Sequence, residues 1–122
     1  MMDKKILIID DDLYILELLE TFLENHDHKV STASTAEKGL AFARKTEYDL
    51  ILLDIMLPDC NGEAVLNSLL AITPKTPVIM ITGGSNIEIA KRCLEHGAVD
   101  YITKPFDFEY LYTTIIANML GS

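Results

Sequence analysis

A chain of 122 residues is the size of one domain, and its 49% hydrophobic and 24% charged residues give the balance of an ordinary globular core. Its formal net charge of −9, from 19 acidic against 10 basic residues, repels nucleic acid and anionic membrane surfaces, and no cluster of Lys or Arg overrides that field locally. No apolar stretch approaches the roughly 20 residues that cross a bilayer, no secretory signal follows Met1, and Cys60 and Cys93 have no partners at disulfide or zinc spacing. These features predict a single soluble, cytoplasmic domain over residues 1–122 with reduced thiols.

The first apolar run, Ile6 to Ile9, reads as a strand and leads directly into Asp10, Asp11 and Asp12. Asp12 reads as the N-cap of helix one, whose Leu16, Leu19, Phe22 and Leu23 share one face. His26 and His28 read as exposed residues of the following loop rather than metal ligands. A weaker strand, Lys29 to Ala33, precedes Ser34-Thr35-Ala36-Glu37, which reads as a capping box opening helix two with Ser34 as the cap. Strand three, Leu50 to Leu53, ends against Asp54, and a turn from Pro58 to Asn61 brings Gly62 to the start of helix three.

Strand four, Val78 to Ile81, ends against Thr82. Ser85-Asn86-Ile87-Glu88 reads as a second capping box, opening helix four, and Gly97 suits the left-handed position that ends it. The last strand, Val99 to Ile102, carries Tyr101, for which a core aromatic is one reading, and Lys104 follows two residues later. Asp107 can cap helix five; of Phe106, Phe108, Tyr110 and Tyr112, half are expected to pack on the sheet and the rest to offer partner surface.

The central runs are continuous rather than alternating, as strands buried on both faces require, and they alternate with helices. The expected fold is therefore α/β: a (βα)5 flavodoxin-like three-layer sandwich with a parallel sheet of order 2-1-3-4-5. In such sheets the ligand site lies beyond the carboxyl ends of the strands, where Asp10, Asp11, Asp54, Thr82 and Lys104 all fall. Carboxylates about 5 Å apart repel by roughly 3 kcal/mol at an effective dielectric of about 20, so a cation belongs among them. An oxygen-rich site with few protein ligands suits Mg²⁺, and Lys104 adds a fixed positive charge. An Asp-Asp-Asp loop after strand one also argues against the phosphate cradle of a flavodoxin-like nucleotide binder.

Ile-Ile-Asp10-Asp11, Leu-Leu-Asp54-Ile-Met-Leu-Pro58, Met-Ile-Thr82-Gly83 and Tyr101-Ile-Thr-Lys104-Pro105-Phe106 resemble the signature blocks of response-regulator receiver domains. The resemblance covers essentially the whole chain. It implies that Asp54 accepts a phosphoryl group from a sensor histidine kinase or phosphotransfer protein, in a two-component phosphorelay. It further implies that Asp11 binds Mg²⁺ directly, Asp10 through water, and Met56 through its backbone carbonyl. By the same resemblance Thr82 and Lys104 bind phosphoryl oxygens, the Lys104-Pro105 bond is cis, and Tyr101 and Thr82 act as switch residues. An output protein would then dock on the face made by helix four, strand five and helix five. A degenerate receiver that binds partners without phosphorylation would not need every acidic and basic site position intact. A phosphotransferase or phosphatase of the aspartyl-phosphate type generally carries a second carboxylate two residues after the nucleophile, where this chain has Met56.

Overall fold

The computed structural model describes residues 4–120. Its elements alternate as β1 (Lys5–Ile9), α1 (Leu13–Glu24), β2 (Lys29–Ala33), α2 (Ala36–Lys45), β3 (Leu50–Asp54), α3 (Gly62–Ile72), β4 (Val78–Thr82), α4 (Ile87–Glu95), β5 (Asp100–Thr103) and α5 (Phe108–Leu120). All sheet pairings are parallel and the strand order is β2-β1-β3-β4-β5, as expected from the alternation.

The continuous runs are explained by two cores, one on each face of the sheet. Leu7, Ile9, Ile51, Leu53, Val78 and Met80 meet α2, α3 and α4 through residues such as Ala36, Val65, Leu69 and Cys93. The alternate residues Ile6, Ile8, Leu50, Leu52, Ile79 and Ile81 meet Leu16, Leu19 and Leu23 of α1 and Leu111 and Ile115 of α5. A strand presents successive side chains to opposite faces, so both parities must be apolar when both faces are covered. Each fully buried Leu or Ile contributes about 1.5–3 kcal/mol of transfer free energy.

Asp12 and Asp107 accept from backbone amides at the starts of α1 and α5, and Gly97 has φ +120, as the local sequence implies; Asn61, read as a turn residue, does the same for α3. Four expectations need correction. Ser34 does not cap α2; the Thr35 hydroxyl takes the Lys38 amide, and the Ala36 and Glu37 amides go to Asp59. Ser85 does not cap α4; a 3-10 turn, Gly84–Asn86, intervenes, and no side-chain cap bond forms at Asn86. Strand five runs Asp100–Thr103, one residue later at both ends than expected; the Val99 amide reaches the Val78 carbonyl, but its side chain is exposed. Lys104 consequently follows β5 directly.

The fourth correction concerns the histidines. His28 is buried and its Nε2 lies 2.8 Å from the Tyr112 hydroxyl, while His26 is half-buried with its ring 4.1 Å from that of Tyr112. Asp27, at φ 67, turns the chain back beneath α5, so the α1–β2 junction is covered rather than open. The α5 aromatics pack there too: Phe108 and Tyr112 both contact Phe22 of α1.

Candidate functional site

Three strand ends converge at the carboxyl edge of the sheet. Asp54 closes β3, Asp10 follows β1, and Lys104 follows β5. Backbone bonds continue past the strands and fix these positions: the Asp10 amide donates to Ala33 and the Lys104 amide to Thr82, at 3.0 and 2.8 Å. The Lys104-Pro105 bond is cis.

Oxygens of Asp10, Asp11 and Asp54 lie within 4.8 Å of one another. Asp10 is fully buried and Asp54 nearly so, whereas Asp11 lies exposed at the rim. Lys104 Nζ stands 3.1 Å from Asp10 Oδ2 and 3.6 Å from Asp54 Oδ2. It is the one cation paired with the cluster among the described residues, so one positive charge faces three carboxylates.

The imbalance shows in the electrostatics. Burial first, then the charge of Asp10, pushes the Asp54 carboxyl up to about 7, with Lys104 and the Met56 amide pulling the other way. Burial alone would lower the Lys104 pKa, but its close approach to the Asp10 carboxylate and the charges of Asp10, Asp54 and Asp12 outweigh this and raise it. Asp10 Oδ1 accepts from the Asp12 amide at 2.9 Å; Asp10 Oδ2 is buried and, although close to Lys104, has no aligned hydrogen bond. A buried carboxylate oxygen without such a bond, beside two further carboxylates, fits a hard divalent cation. Asp10, Asp11 and Asp54 are the side chains that could hold it.

The sequence-predicted residues are not all in mutual contact. The Thr82 hydroxyl is fully buried and donates to the Gly83 carbonyl at 2.8 Å rather than to a carboxylate. Met56 is adjacent through its backbone, its amide donating to Asp54 Oδ1 at 3.3 Å, while its side chain is exposed. Tyr101 is half-buried against the α2–α4 core.

A family model of the response regulator receiver domain matches residues 6–116. This chain belongs to the response regulator receiver domain family. It is 38% identical over 113 residues to the cell cycle response regulator CtrA of Brucella ovis, which covers 93% of this chain and 49% of that protein. The chain thus spans about half the length of the curated relatives it matches. Among solved structures it resembles a CheY-like receiver domain protein from Methanospirillum hungatei, at 36% identity and TM-score 0.91 over 96% of this chain and 94% of the other. NtrX from Brucella abortus is also similar, at 33% identity and TM-score 0.93, covering 98% of this chain and 28% of that one. Receiver domains act in two-component signalling, use Mg²⁺ at an acidic pocket, and work with histidine kinases and output domains. No helix among the described residues is long and apolar enough to cross a membrane.

Sequence reasoning missed Asp59 as a contributor to this end of the molecule. It reads as one residue of a turn, yet both carboxylate oxygens reach amides 22 and 23 positions earlier. No periodicity signals such a bond; an acid in a loop that leaves the active edge was the sole hint.

Proposed function

We propose that this receiver domain, read as spanning residues 1–122, takes a phosphoryl group onto Asp54 in a Mg²⁺-dependent reaction and passes the change to an output protein. The observation that carries the reading is the charge imbalance of the pocket: three converging carboxylates, one lysine, and a buried Asp10 oxygen without an aligned partner. Asp11 and Asp54 would ligate the metal directly, Asp10 through water, and Met56 through its carbonyl. When bound, Mg²⁺ supplies neutralisation of the carboxylates and of charge developing on the transferred group.

The chain's own groups then do the remaining work. Asp54 is fixed at the end of β3, so its carboxylate oxygen attacks phosphorus from a set direction while the donor departs with the electron pair of the broken bond. Lys104 holds its ammonium beside that oxygen and offers its N–H groups to an equatorial phosphoryl oxygen. Thr82 can turn its hydroxyl from Gly83 to a second one. That turn frees space toward β5 and Tyr101, which couples the pocket to the α4–β5–α5 face. Leu94 of α4 and Tyr110 of α5 are exposed apolar side chains on two of these elements, which supports a docking role for the output protein. A phosphohistidine of a sensor kinase or phosphotransfer protein is the expected donor.

The test is incubation with acetyl phosphate and Mg²⁺, which should add one phosphoryl group, acid-stable and base-labile, in the parent and none in Asp54→Asn. Equal labelling of the variant would reject Asp54. The degenerate-receiver alternative requires that the parent stay unlabelled while still binding its partner.

A further inference from the structure

The loop from Ile55 to Asn61 joins Asp54 to α3 and carries the backbone of Met56 past the acidic cluster. Its neck is tightly closed. The Gly62 amide donates to the Ile55 carbonyl at 2.7 Å, Met56 and Asn61 form an antiparallel bridge, and a Cβ on Gly62 would sit 2.7 Å from the Ile55 backbone. The tip is different. Pro58 and Asp59 are exposed, and only Leu57 and Cys60 rest partly on the core. One polar fastening reaches the tip from another element: Asp59 Oδ1 accepts the Ala36 amide at 2.9 Å and Oδ2 the Glu37 amide at 3.1 Å.

These are the first two amides of α2, which have no carbonyl partners within the helix. The Thr35 hydroxyl satisfies the third, that of Lys38, at 3.2 Å. The positive end of the helix dipole favours the Asp59 charge, and the bonds from Ala36 and then Glu37 hold its carboxyl below the usual range. A two-oxygen clasp on consecutive amides fixes direction as well as distance.

We propose that Asp59 is a positioning residue for metal binding: by clasping the N-terminus of α2 it holds the tip of the β3–α3 loop, and with it the Met56 backbone, at the acidic cluster. The inference rests on reading that cluster as the Mg²⁺ site. It adds a group that touches neither metal nor phosphoryl donor.

The experiment compares the parent, Asp59→Ala, Asp59→Asn and Thr35→Ala by calorimetric Mg²⁺ titration and by thermal melting. Thr35→Ala removes the other cap of α2 without touching the loop, so it reports what helix fraying alone does. Asp59→Ala should weaken Mg²⁺ binding roughly 10-fold, the lower end of what loss of a ligand-orienting partner costs. Asp59→Asn, which keeps one acceptor oxygen, should fall between Asp59→Ala and the parent. Thr35→Ala should lower the melting temperature and leave Mg²⁺ affinity unchanged. Should Asp59→Ala not fold, Asp59→Asn decides: weaker binding supports the clasp, and parental affinity overturns it. Parental affinity in Asp59→Ala, or equal weakening in Thr35→Ala, would also overturn it. Failure of the parent itself to bind Mg²⁺ would instead remove the reading beneath the proposal.

Discussion

The two ends of the sheet each bury an ionisable group, and they handle it in opposite ways. At the amino end, burial and then the neighbouring His26 lower the His28 pKa, which disfavours its charged form; its Nε2 meets the Tyr112 hydroxyl, and the Tyr112 ring lies 5.9 Å from its own. At the carboxyl end, burial and Asp10 raise Asp54 to about 7, yet a third carboxylate and only one lysine leave negative charge unmatched. The same desolvation physics thus gives a packed, uncharged joint at one end, where His28 Nδ1 is also buried without a partner, and a demand for a cation at the other, where three carboxylates face one lysine. A perturbed pKa alone does not mark function; a perturbed pKa with unmatched charge beside an exposed ligand, here Asp11, does.

The largest expected effect comes from removing Lys104, the cation paired with the acidic cluster. Lys104→Met should slow labelling by acetyl phosphate about 10²-fold, the usual loss for one preorganised donor to a developing charge. Saturating Mg²⁺ should restore only part of it, and a rate within twofold of the parent would exclude Lys104 from the chemistry.

The amino end should respond in stability alone. Tyr112→Phe leaves His28 Nε2 without its partner and should cost about 1–2 kcal/mol in denaturant unfolding, with Mg²⁺ affinity and labelling unchanged. A loss of labelling would show that the ends are coupled.

The titrations should run in opposite senses. Folded Asp54 binds protons more readily than its unfolded form, so its contribution to stability falls as pH rises from 3.8 to about 7. Folded His28 binds them less readily, so its contribution is complete above 6.5 and falls as pH drops below that value. In chelator-treated protein, Asp54→Asn should therefore raise the melting temperature more at about pH 8 than at about pH 4, and Mg²⁺ should narrow the gain. An equal gain at both values would refute the raised pKa.

The smallest effect concerns decay of the acyl phosphate. Met56 and Gly84 stand two residues beyond Asp54 and Thr82, at the mouth through which a hydrolytic water would have to approach, and neither carries a group able to orient it; a side chain at Gly84 meets nothing within 4 Å. Gly84→Glu should change the dephosphorylation rate a few-fold, on the order of 1 kcal/mol, without altering the fold. Identical decay curves would dismiss position 84.

The carboxyl end was the more legible of the two ends in the sequence, and the reason is geometric. Continuous apolar runs mark strands buried on both faces, and parallel strands deliver the residue after each run to one edge, so Asp10, Asp54, Thr82 and Lys104 could be grouped without coordinates. The caps of α2 and α4 were not legible, because the capping-box pattern cannot register Asp59 arriving from a distant loop or the consecutive glycines Gly83 and Gly84 leading into a 3-10 turn. Nor was the His28 joint, since its partner lies 84 residues away and no local spacing tells which helix covers a loop.

The contrast between the ends is tested most directly by a Mg²⁺ titration of the metal-free protein followed by amide-resolved NMR. Saturable shifts at residues 10–12, 54–57 and 104, with residues 26–30 and 110–114 unmoved, are the predicted result. Shifts absent from the carboxyl edge, or centred on His28, would contradict the account.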